Sequence, residues 1–247
     1  MTTLAILTAA GSGTRLGRDL PKALVDLGGL PLVLHAARRL AASGTVDALV
    51  VTCPPGLTDA VQDVVGRDDL VDLPVRVVDG GTTRQASVAA GLRHVPADTT
   101  VVLVHDAARP LAPPALVRRV ADAVRTGHPA VVPGLPMVDT VKRVAPDADG
   151  DPSPADGPRV ERVVETPDRA LLRVVQTPQG FDRDVLVRAH AAGAGRAAAE
   201  HLAASDDAGL VEALGLPVHV VAGDEHAMKI TTERDLVVAG LLVEEES

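Results

Sequence analysis

The sequence begins with a short apolar run that breaks into a loop of small residues carrying two cations. Residues 4–7 read L-A-I-L, which predicts a buried strand, and residues 9–17 read A-A-G-S-G-T-R-L-G. Small residues let a backbone approach a ligand closely, and exposed N–H groups in such a turn suit anionic oxygens. Arg15 and Lys22 add positive charge to the same loop. The stretch predicts a nucleotide triphosphate site. Considered without the rest of the chain, it could also be a glycine-rich connection with incidental charges.

Two common phosphate-binding loops differ from this one in spacing. A P-loop requires G-x-x-x-x-G-K-[ST], and no lysine of the chain follows a glycine. A dinucleotide fingerprint requires G-x-G-x-x-G opening a helix and an acid at the end of the next strand. Here the spacing is G-x-G-x-x-x-G, Pro21 interrupts the helix, and the next strand ends V-T-C-P at residues 51–54. The loop therefore disfavours a nicotinamide-dependent oxidoreductase.

The rest of the chain alternates short apolar runs with segments of helical periodicity. The predicted strands are residues 48–53, 75–78, 100–105, 130–133, 174–180 and 218–222. The predicted helices are residues 31–43, 57–65, 84–94, 115–125, 182–192, 206–214 and 233–245. Strands that alternate with helices predict an α/β fold, with a Rossmann-like, mainly parallel sheet flanked by helices.

One segment interrupts this rhythm. Residues 138–145 and 159–165 alternate polar and apolar side chains around a tip rich in Pro and Asp. We interpret residues 138–168 as a two-stranded arm that protrudes from a single domain covering residues 1–247. Because an isolated hairpin is marginal in water, the arm is expected to pack on a second copy of the chain, forming a homodimer.

Composition limits the class of partner. A chain of 247 residues with 46% hydrophobic content can bury one sizeable core, and its net charge of −9 argues against a nucleic-acid partner. The chain has a single cysteine, Cys53, which fits a reducing compartment. The apolar run of residues 4–7 is too short to span a membrane. We therefore expect a cytoplasmic protein without a membrane partner. With no Trp or Tyr and one Phe, a bound base would be read by backbone and small polar groups.

Three further residues could carry chemistry at the carboxyl edge of a parallel sheet, where ligands collect. Asp106 follows a buried strand and could hold a phosphate-bound Mg²⁺, its alternative being a loop or cap role. Arg109 could bind a phosphate or form a surface ion pair, and Lys229 could point into the site or extend along the surface. Positioning and charge neutralisation by such groups are what phosphoryl-type transfer requires.

A set of motifs spanning nearly the whole chain resembles the 2-C-methyl-D-erythritol 4-phosphate cytidylyltransferase family of the non-mevalonate isoprenoid pathway. The matches are A-A-G-S-G-T-R-L-G…P-K at 9–22, D-G-G at 79–81, R-Q-A-S-V at 84–88, V-H-D-A-A-R-P at 104–110, D-T-V-K at 139–142, Q-T-P-Q-G-F at 176–181, D-D-A at 206–208 and K-I-T at 229–231. The glycine loop alone indicates only the wider nucleotide-diphospho-sugar transferase group, whereas V-H-D-A-A-R-P with T-P-Q-G-F is specific.

The resemblance implies a reaction of CTP with methylerythritol phosphate, with Mg²⁺, that releases pyrophosphate. It assigns catalytic roles to Arg15, Lys22 and Lys229. It assigns CTP contacts to Ala9, Ala10, Gly11, Gly13, Gly81, Ser87, Asp106 and Ala107, with Asp106 as the metal ligand. It assigns the alcohol phosphate to Arg109, Thr140, Arg169, Thr177 and Lys229, with Arg169 supplied across the dimer by the arm.

Two questions stay open at the level of sequence. A cytidylyltransferase of the same group that uses ribitol 5-phosphate would share the fold and the CTP site, and would differ in the arm and around Arg109 and Thr140. Ala227 also replaces an asparagine often found two residues before the family's lysine, which leaves the hydrogen bonds of that turn unassigned.

Overall fold

The computed structural model describes residues 1–11, 21–145, 160–197 and 204–245. The strands within these ranges are β1 Thr2–Thr8, β2 Asp26–Leu27, β3 Leu30–Pro31, β4 Ala48–Cys53, β5 Val75–Asp79, β6 Thr99–Asp106, β7 Ala130–Pro136, β8 Arg143–Val144, β9 Val163–Glu165, β10 Arg173–Val175, β11 Gln179–Asp182 and β12 His219–Ala222. The α-helices are α1 Leu32–Ala42, α2 Thr58–Val65, α3 Arg84–Leu92, α4 Pro114–Arg125, α5 Arg183–Ala192, α6 Asp207–Ala213 and α7 Glu233–Glu245. None of these helices has the length and apolar character needed to cross a membrane.

Eight of the strands form the central sheet, in the order β10-β7-β11-β6-β1-β4-β5, with β12 paired to β7. Strand β1 runs parallel to both of its neighbours, β4 and β6, and the pairs β4–β5 and β7–β12 are also parallel. Strand β11 runs antiparallel to β6 and β7, and β10 runs antiparallel to β7. The predicted mainly parallel α/β sheet is confirmed.

The sheet is buried on both faces, which explains why its strands read as continuous apolar runs. In β1, Ala5 and Leu7 pack with residues of α1, α2 and α4, whereas Leu4 and Ile6 pack with residues of α3, α5 and α6. A smaller cluster, which includes Ile230, joins α7 to β2 and the start of α1. The packing explains why the unbroken apolar run of residues 4–7 forms a central strand.

The structure corrects the prediction of one strand over residues 174–180. Two strands, β10 and β11, occupy this region, and the peptide bond between Thr177 and Pro178 separates them in the cis form. Pro178 has no N–H to donate to a sheet ladder, so the strand is interrupted there. Gln176 and Thr177, just before the break, are both buried.

A hairpin that the sequence analysis did not predict follows residue 25. Strands β2 and β3 pair antiparallel through Gly28 and Gly29, whose φ angles are +61° and +88°. A two-residue hairpin turn with positive φ at both positions strongly favours glycine, and G-G between apolar residues is its sequence signal. The hairpin leads directly into α1.

Within the described residues, two short strands pair in the region of the predicted arm. Strands β8 and β9 pair antiparallel in a separate two-stranded sheet, with Arg143 opposite Glu165. Residues 146–159, which include the predicted tip, lie outside the described residues. Each side chain of β8 and β9 is exposed, so the alternating pattern has no core to face within one chain.

Candidate active site

The carboxyl ends of β1, β4, β5 and β6 meet at one edge of the sheet, and backbone hydrogen bonds extend the ladders beyond it. Ala9 N donates to Thr52 O at 2.7 Å, and Ala107 N donates to Thr8 O at 3.0 Å. Gly80 N donates to the last carbonyl of β4 at 2.7 Å. The backbone of the three predicted nucleotide-binding segments therefore starts from fixed positions on adjacent strands.

Close packing between these segments requires small residues. A Cβ atom added at Gly80 would lie 2.7 Å from Ala10 Cβ, and one added at Gly81 would collide with Ala86. Ser87, one turn into α3, accepts a hydrogen bond from Gly81 N at 3.1 Å and donates to a carbonyl one turn earlier at 2.8 Å. Ala10, Gly81 and Ser87 thus belong to one packed unit at the sheet edge.

Asp106, the last residue of β6, is 6% exposed and holds two cations. Its Oδ2 accepts from Lys229 Nζ at 2.8 Å, and its Oδ1 accepts from Arg84 Nε at 2.9 Å. Burial alone would raise the pKa of Asp106, but the charges of Arg84 and Lys229 hold that pKa well below its usual range. Asp106 is therefore an ionised carboxylate that fixes a lysine at the predicted nucleotide site.

Lys229 reaches Asp106 from the segment after β12, and two buried or half-buried side chains hold that segment. Gln176 Nε2 donates to Asp224 O at 2.8 Å, and Asp224 N donates back to Gln176 Oε1 at 2.9 Å. Arg109 Nη1 donates to Ala227 O at 2.6 Å. The turn that contains Ala227 is thus held through its backbone by side chains from two other segments.

Arg109 makes a second contact of the same kind, since its Nη2 donates to Val175 O at 3.2 Å. Burial lowers the pKa of Arg109 below its ordinary value, although the group remains a cation. The guanidinium therefore bridges the segment that carries Lys229 and the end of β10. The role of Arg109 in binding an acceptor phosphate stays a prediction.

His105 and Thr177 support Asp106 from the interior. Asp106 N donates to Thr177 Oγ1 at 3.1 Å, and His105 Nδ1 lies 3.0 Å from the same oxygen. Burial lowers the pKa of His105 to about 4, so the ring is neutral near pH 7. Because His105 Nε2 lies 3.1 Å from the carbonyl of Arg109, which can only accept, Nε2 carries the proton and Nδ1 accepts from the Thr177 hydroxyl.

The structure brings together Asp106, Ala107, Arg109, Thr177 and Lys229, but leaves two predicted residues on the arm side. Thr140 and Arg169 are exposed, and Arg169 Nη1 donates to Val138 O at 2.6 Å. In the described part of the chain, neither forms a hydrogen bond with the Asp106 cluster. The predicted cross-subunit role of Arg169 is untested by these contacts.

The first loop is described only at its two ends. Ala9 is buried, Ala10 is half-buried and Gly11 is exposed, whereas Gly13 and Arg15 lie outside the described residues. Lys22 is half-buried and opens a short 3-10 helix, Lys22–Leu24, directly after Pro21.

Sequence reasoning missed a residue that the structure places in the cluster. Arg84 begins the motif R-Q-A-S-V and is the first residue of α3, shortly after Gly80 and Gly81. A helix N-terminus disfavours a cation, and here two carboxylates compensate for that effect. Gln176 was also given no role from the sequence. The feature that could have indicated one is its amide side chain two residues before Pro178, where the strand breaks.

The side chains of the site can be examined for their ability to bind a divalent metal ion. The described residues contain no group of three or more His, Cys, Asp or Glu side chains that could hold a metal ion. A single carboxylate is nevertheless enough for a phosphate-bound Mg²⁺, which takes its other ligands from phosphate oxygens and water. Asp106 has the position and ionisation for this, and a direct bond would use an oxygen that now accepts from a cation.

Together, the fold and the site define an α/β nucleotidyltransferase: a mainly parallel sheet whose small-residue segments, carboxylate and lysine meet at one edge. The profile of the family described as "IspD: 2-C-methyl-D-erythritol 4-phosphate cytidylyltransferase" matches residues 3–245. The chain belongs to this family.

Individual relatives agree with the family match. The enzyme of that name from Streptomyces coelicolor is 51% identical over 242 residues, covering 96% of this chain and 83% of the relative. The one from Frankia casuarinae is 50% identical over 239 residues, covering 97% and 80%. The crystal structure of the enzyme from Thermus thermophilus is 37% identical with a TM-score of 0.72, covering 99% of this chain and 100% of that one.

Proposed function

We propose that this chain transfers CMP from CTP to 2-C-methyl-D-erythritol 4-phosphate, giving 4-diphosphocytidyl-2-C-methyl-D-erythritol and pyrophosphate. An oxygen of the acceptor phosphate attacks the α-phosphorus of CTP, and the bond from that phosphorus to the bridging oxygen breaks as pyrophosphate leaves. The observation that carries the proposal is the Lys229–Asp106 pair at the edge where the glycine-containing segments end, in a chain that belongs to this family.

Lys229 is proposed as a catalytic residue that stabilises charge on the α-phosphate. Its Nζ lies 2.8 Å from Asp106 Oδ2, and its side chain is 41% exposed, so the side chain is held at one end without being enclosed. An ammonium group has three donors, of which Asp106 takes one. Arg15 and Lys22 are proposed to hold the triphosphate and to stabilise the departing pyrophosphate.

The nucleotide is proposed to bind the segments at the carboxyl ends of β1, β5 and β6. The proposed contacts are Ala9, Ala10, Gly11, Gly13, Gly81, Ser87, Asp106 and Ala107. The sole Phe, Trp or Tyr of the chain is Phe181, which is fully buried and so offers no ring for a base to stack on. This supports recognition of cytosine by backbone groups and small side chains.

The proposed reaction includes Mg²⁺, held by Asp106 together with phosphate oxygens of CTP. The ion would neutralise charge on the triphosphate, which is what a metal supplies in phosphoryl-type transfer.

The acceptor is proposed to bind between this edge and the arm, through Arg109, Thr140, Arg169, Thr177 and Lys229.

We propose that residues 1–247 act as one domain and that the arm, residues 138–168, joins two copies into a homodimer. Apolar side chains at and beside the arm support this: Val138 is 77% exposed, Leu171 is 82% exposed and Val163 is 51% exposed. We place the reaction in the cytoplasm, without nucleic-acid or membrane partners.

The acceptor can be tested directly. The protein is incubated with CTP, Mg²⁺ and either methylerythritol 4-phosphate or ribitol 5-phosphate, and released pyrophosphate is measured. We expect turnover with the first acceptor. Turnover with ribitol 5-phosphate alone would replace the proposed reaction with the alternative one.

The dimer can be tested by sedimentation. The native chain is expected to sediment as a dimer, and Leu171→Asp, which places a charge on the most exposed apolar side chain beside the arm, is expected to shift it towards the monomer. A native chain that remains monomeric at all concentrations would contradict the proposed homodimer.

A further inference from the structure

A line of alternating charges runs from Lys229 into the interior between the helices. Asp106 Oδ1 accepts from Arg84 Nε at 2.9 Å, and Arg84 Nη1 donates to Asp207 Oδ2 at 2.6 Å. The other oxygen of Asp207 lies 2.8 Å from His190 Nε2. Asp106, Arg84, Asp207 and His190 come from β6, α3, α6 and α5, so one connected network ties the sheet edge to three helices.

The ends of two helices explain where these charges lie. Arg84 is the first residue of α3 and Asp207 is the first residue of α6. A carboxylate is favoured at a helix N-terminus and a cation is disfavoured there, so Arg84 depends on its two acidic partners. Asp207, 1% exposed, depends in turn on Arg84 and His190 for its hydrogen bonds.

The arginine fork fits this position in a way that an ammonium does not. Nε and Nη1 of Arg84 donate to two different carboxylates from one planar group. The plane therefore fixes the orientation of the Asp106 carboxylate, whose other oxygen accepts from Lys229. A lysine at residue 84 would keep the charge but has no rigid fork with which to set that orientation.

We propose that Arg84 and Asp207 are positioning residues of the transfer reaction, which orient Asp106 and thereby place the ammonium of Lys229. The inference rests on the proposed catalytic role of Lys229. It gives a function to Arg84 and to the second acid of the D-D-A motif, neither of which the proposed site uses.

The charges of the network support a fixed arrangement. Burial alone would raise the pKa of Asp207, but the charge of Arg84 and the hydrogen bond from His190 lower it below its ordinary value. Arg84 lies 2.9 Å from Asp106 and 2.6 Å from Asp207, and the side chains of these two carboxylates are 9% and 1% exposed. Removing one member of the network would therefore leave another buried charge uncompensated.

The experiment compares Arg84→Lys with a matched control, Arg38→Lys. Arg38 also binds a carboxylate through a fork, with Nε 3.0 Å from Asp68 Oδ1 and Nη2 2.6 Å from Asp68 Oδ2, but it belongs to α1 and touches none of the proposed site residues in these contacts. We expect Arg84→Lys to lower kcat about tenfold or more and to change KM for CTP less than about threefold, since positioning acts on the transition state. Arg38→Lys should leave both parameters within about twofold.

A second variant keeps the proposal testable if Arg84→Lys does not fold. Asp207→Asn removes a charge with almost no change in shape, and it should lower kcat by about threefold or more because Arg84 loses one of its two anchors. Thermal unfolding of each variant identifies the folded ones. A kcat within about twofold of the native value in each folded variant overturns the proposal, as does an equal loss of kcat in Arg38→Lys.

A double-mutant cycle separates this inference from the function on which it rests. If Arg84 acts through Lys229, adding Arg84→Lys to Lys229→Ala should cause no further loss of kcat beyond about twofold. Losses that multiply would overturn the positioning role while leaving the role of Lys229 intact. Near-native turnover of Lys229→Ala alone would instead overturn the proposed role of Lys229, and the inference with it.

Discussion

The sheet edge and the arm use charged residues in different ways. At the sheet edge, Asp106 is buried, and its two cations lie 2.8 Å and 2.9 Å from its oxygens. On the arm, Arg143 and Glu165 also form an ion pair, at 2.7 Å, but their side chains are 63% and 50% exposed. The edge is therefore organised within one chain, whereas the arm presents charged and apolar groups that one chain does not cover.

This difference suggests that the two proposed substrates bind regions of the protein that are held in place in different ways. The proposed CTP site consists of segments that are positioned by the sheet itself, so it should depend little on a partner. The proposed acceptor site includes Thr140 and Arg169, which are exposed in the single chain. Substitutions at the edge should therefore affect the chemical step, and substitutions on the arm should affect binding of the acceptor.

The largest effect is expected at the sheet edge. Lys229→Ala and Lys22→Ala should each lower turnover by about 10²-fold or more, as loss of a charge partner of the transition state does. The chain has one other lysine, Lys142, which donates to Thr166 on the exposed arm. Lys142→Ala is the control and should cost less than about threefold in steady-state pyrophosphate release. Similar losses in the three variants would remove the distinction between edge and arm.

The division of substrates predicts a selective effect on the arm. Arg169→Ala should raise KM for the alcohol phosphate about tenfold and leave KM for CTP within about twofold, because a charge-assisted hydrogen bond contributes about 1.5–3 kcal/mol. Arg173→Ala is a close control, since Arg173 also donates to backbone carbonyls of the same segment, those of Ala170 and Leu172. If Arg169→Ala raised both KM values equally, the cross-subunit assignment would be wrong.

The sequence predicted the edge better than the arm for physical reasons. Apolar runs such as residues 48–53 predict buried strands because both sheet faces are covered, and that prediction matches β4 Ala48–Cys53. The break at Pro178 was missed because the apolar residues Val174 and Val175 were extended into one strand, although a proline within the run argues against that. The arm region follows an alternating pattern, but the side chains of β8 and β9 are exposed, so no core within one chain marks where its strands begin and end.

A site residue could be predicted from the sequence where its residue type is unusual for its position. Asp106 directly after a buried strand indicated a functional carboxylate, and the structure places it beside Lys229, for which the sequence left two orientations open. Arg84 and Asp207 were missed because their pairing joins residues 123 positions apart. Local spacing does not reveal such a contact.

A smaller effect concerns stability at the buried edge. The pKa of His105 is lowered to about 4, whereas an unfolded histidine titrates near 6.5. Between these values the unfolded chain binds more protons, so His105 makes the protein less stable as pH falls from about 6.5 towards 4, by about 3 kcal/mol in total. Urea unfolding at fixed protein concentration should show a shallower loss of stability over this range in His105→Gln. The exposed His128 supplies the control, and a His105→Gln slope equal to that of His128→Gln would contradict the prediction.

The smallest effect is expected for the ion pair on the arm. Arg143→Gln removes a contact of 2.7 Å, shorter than the 2.9 Å contact of Arg84 with Asp106, so distance alone would rank it the stronger pair. Exposure decides otherwise: water and salt screen both partners, and such pairs contribute between zero and about 1 kcal/mol. Urea unfolding of Arg143→Gln should show a loss within that range that disappears at an ionic strength of about 0.5 M, where screening is strong. A loss that persisted in high salt would mean that the pair is covered in solution, and that the arm is as enclosed in the assembled protein as the sheet edge is within one chain.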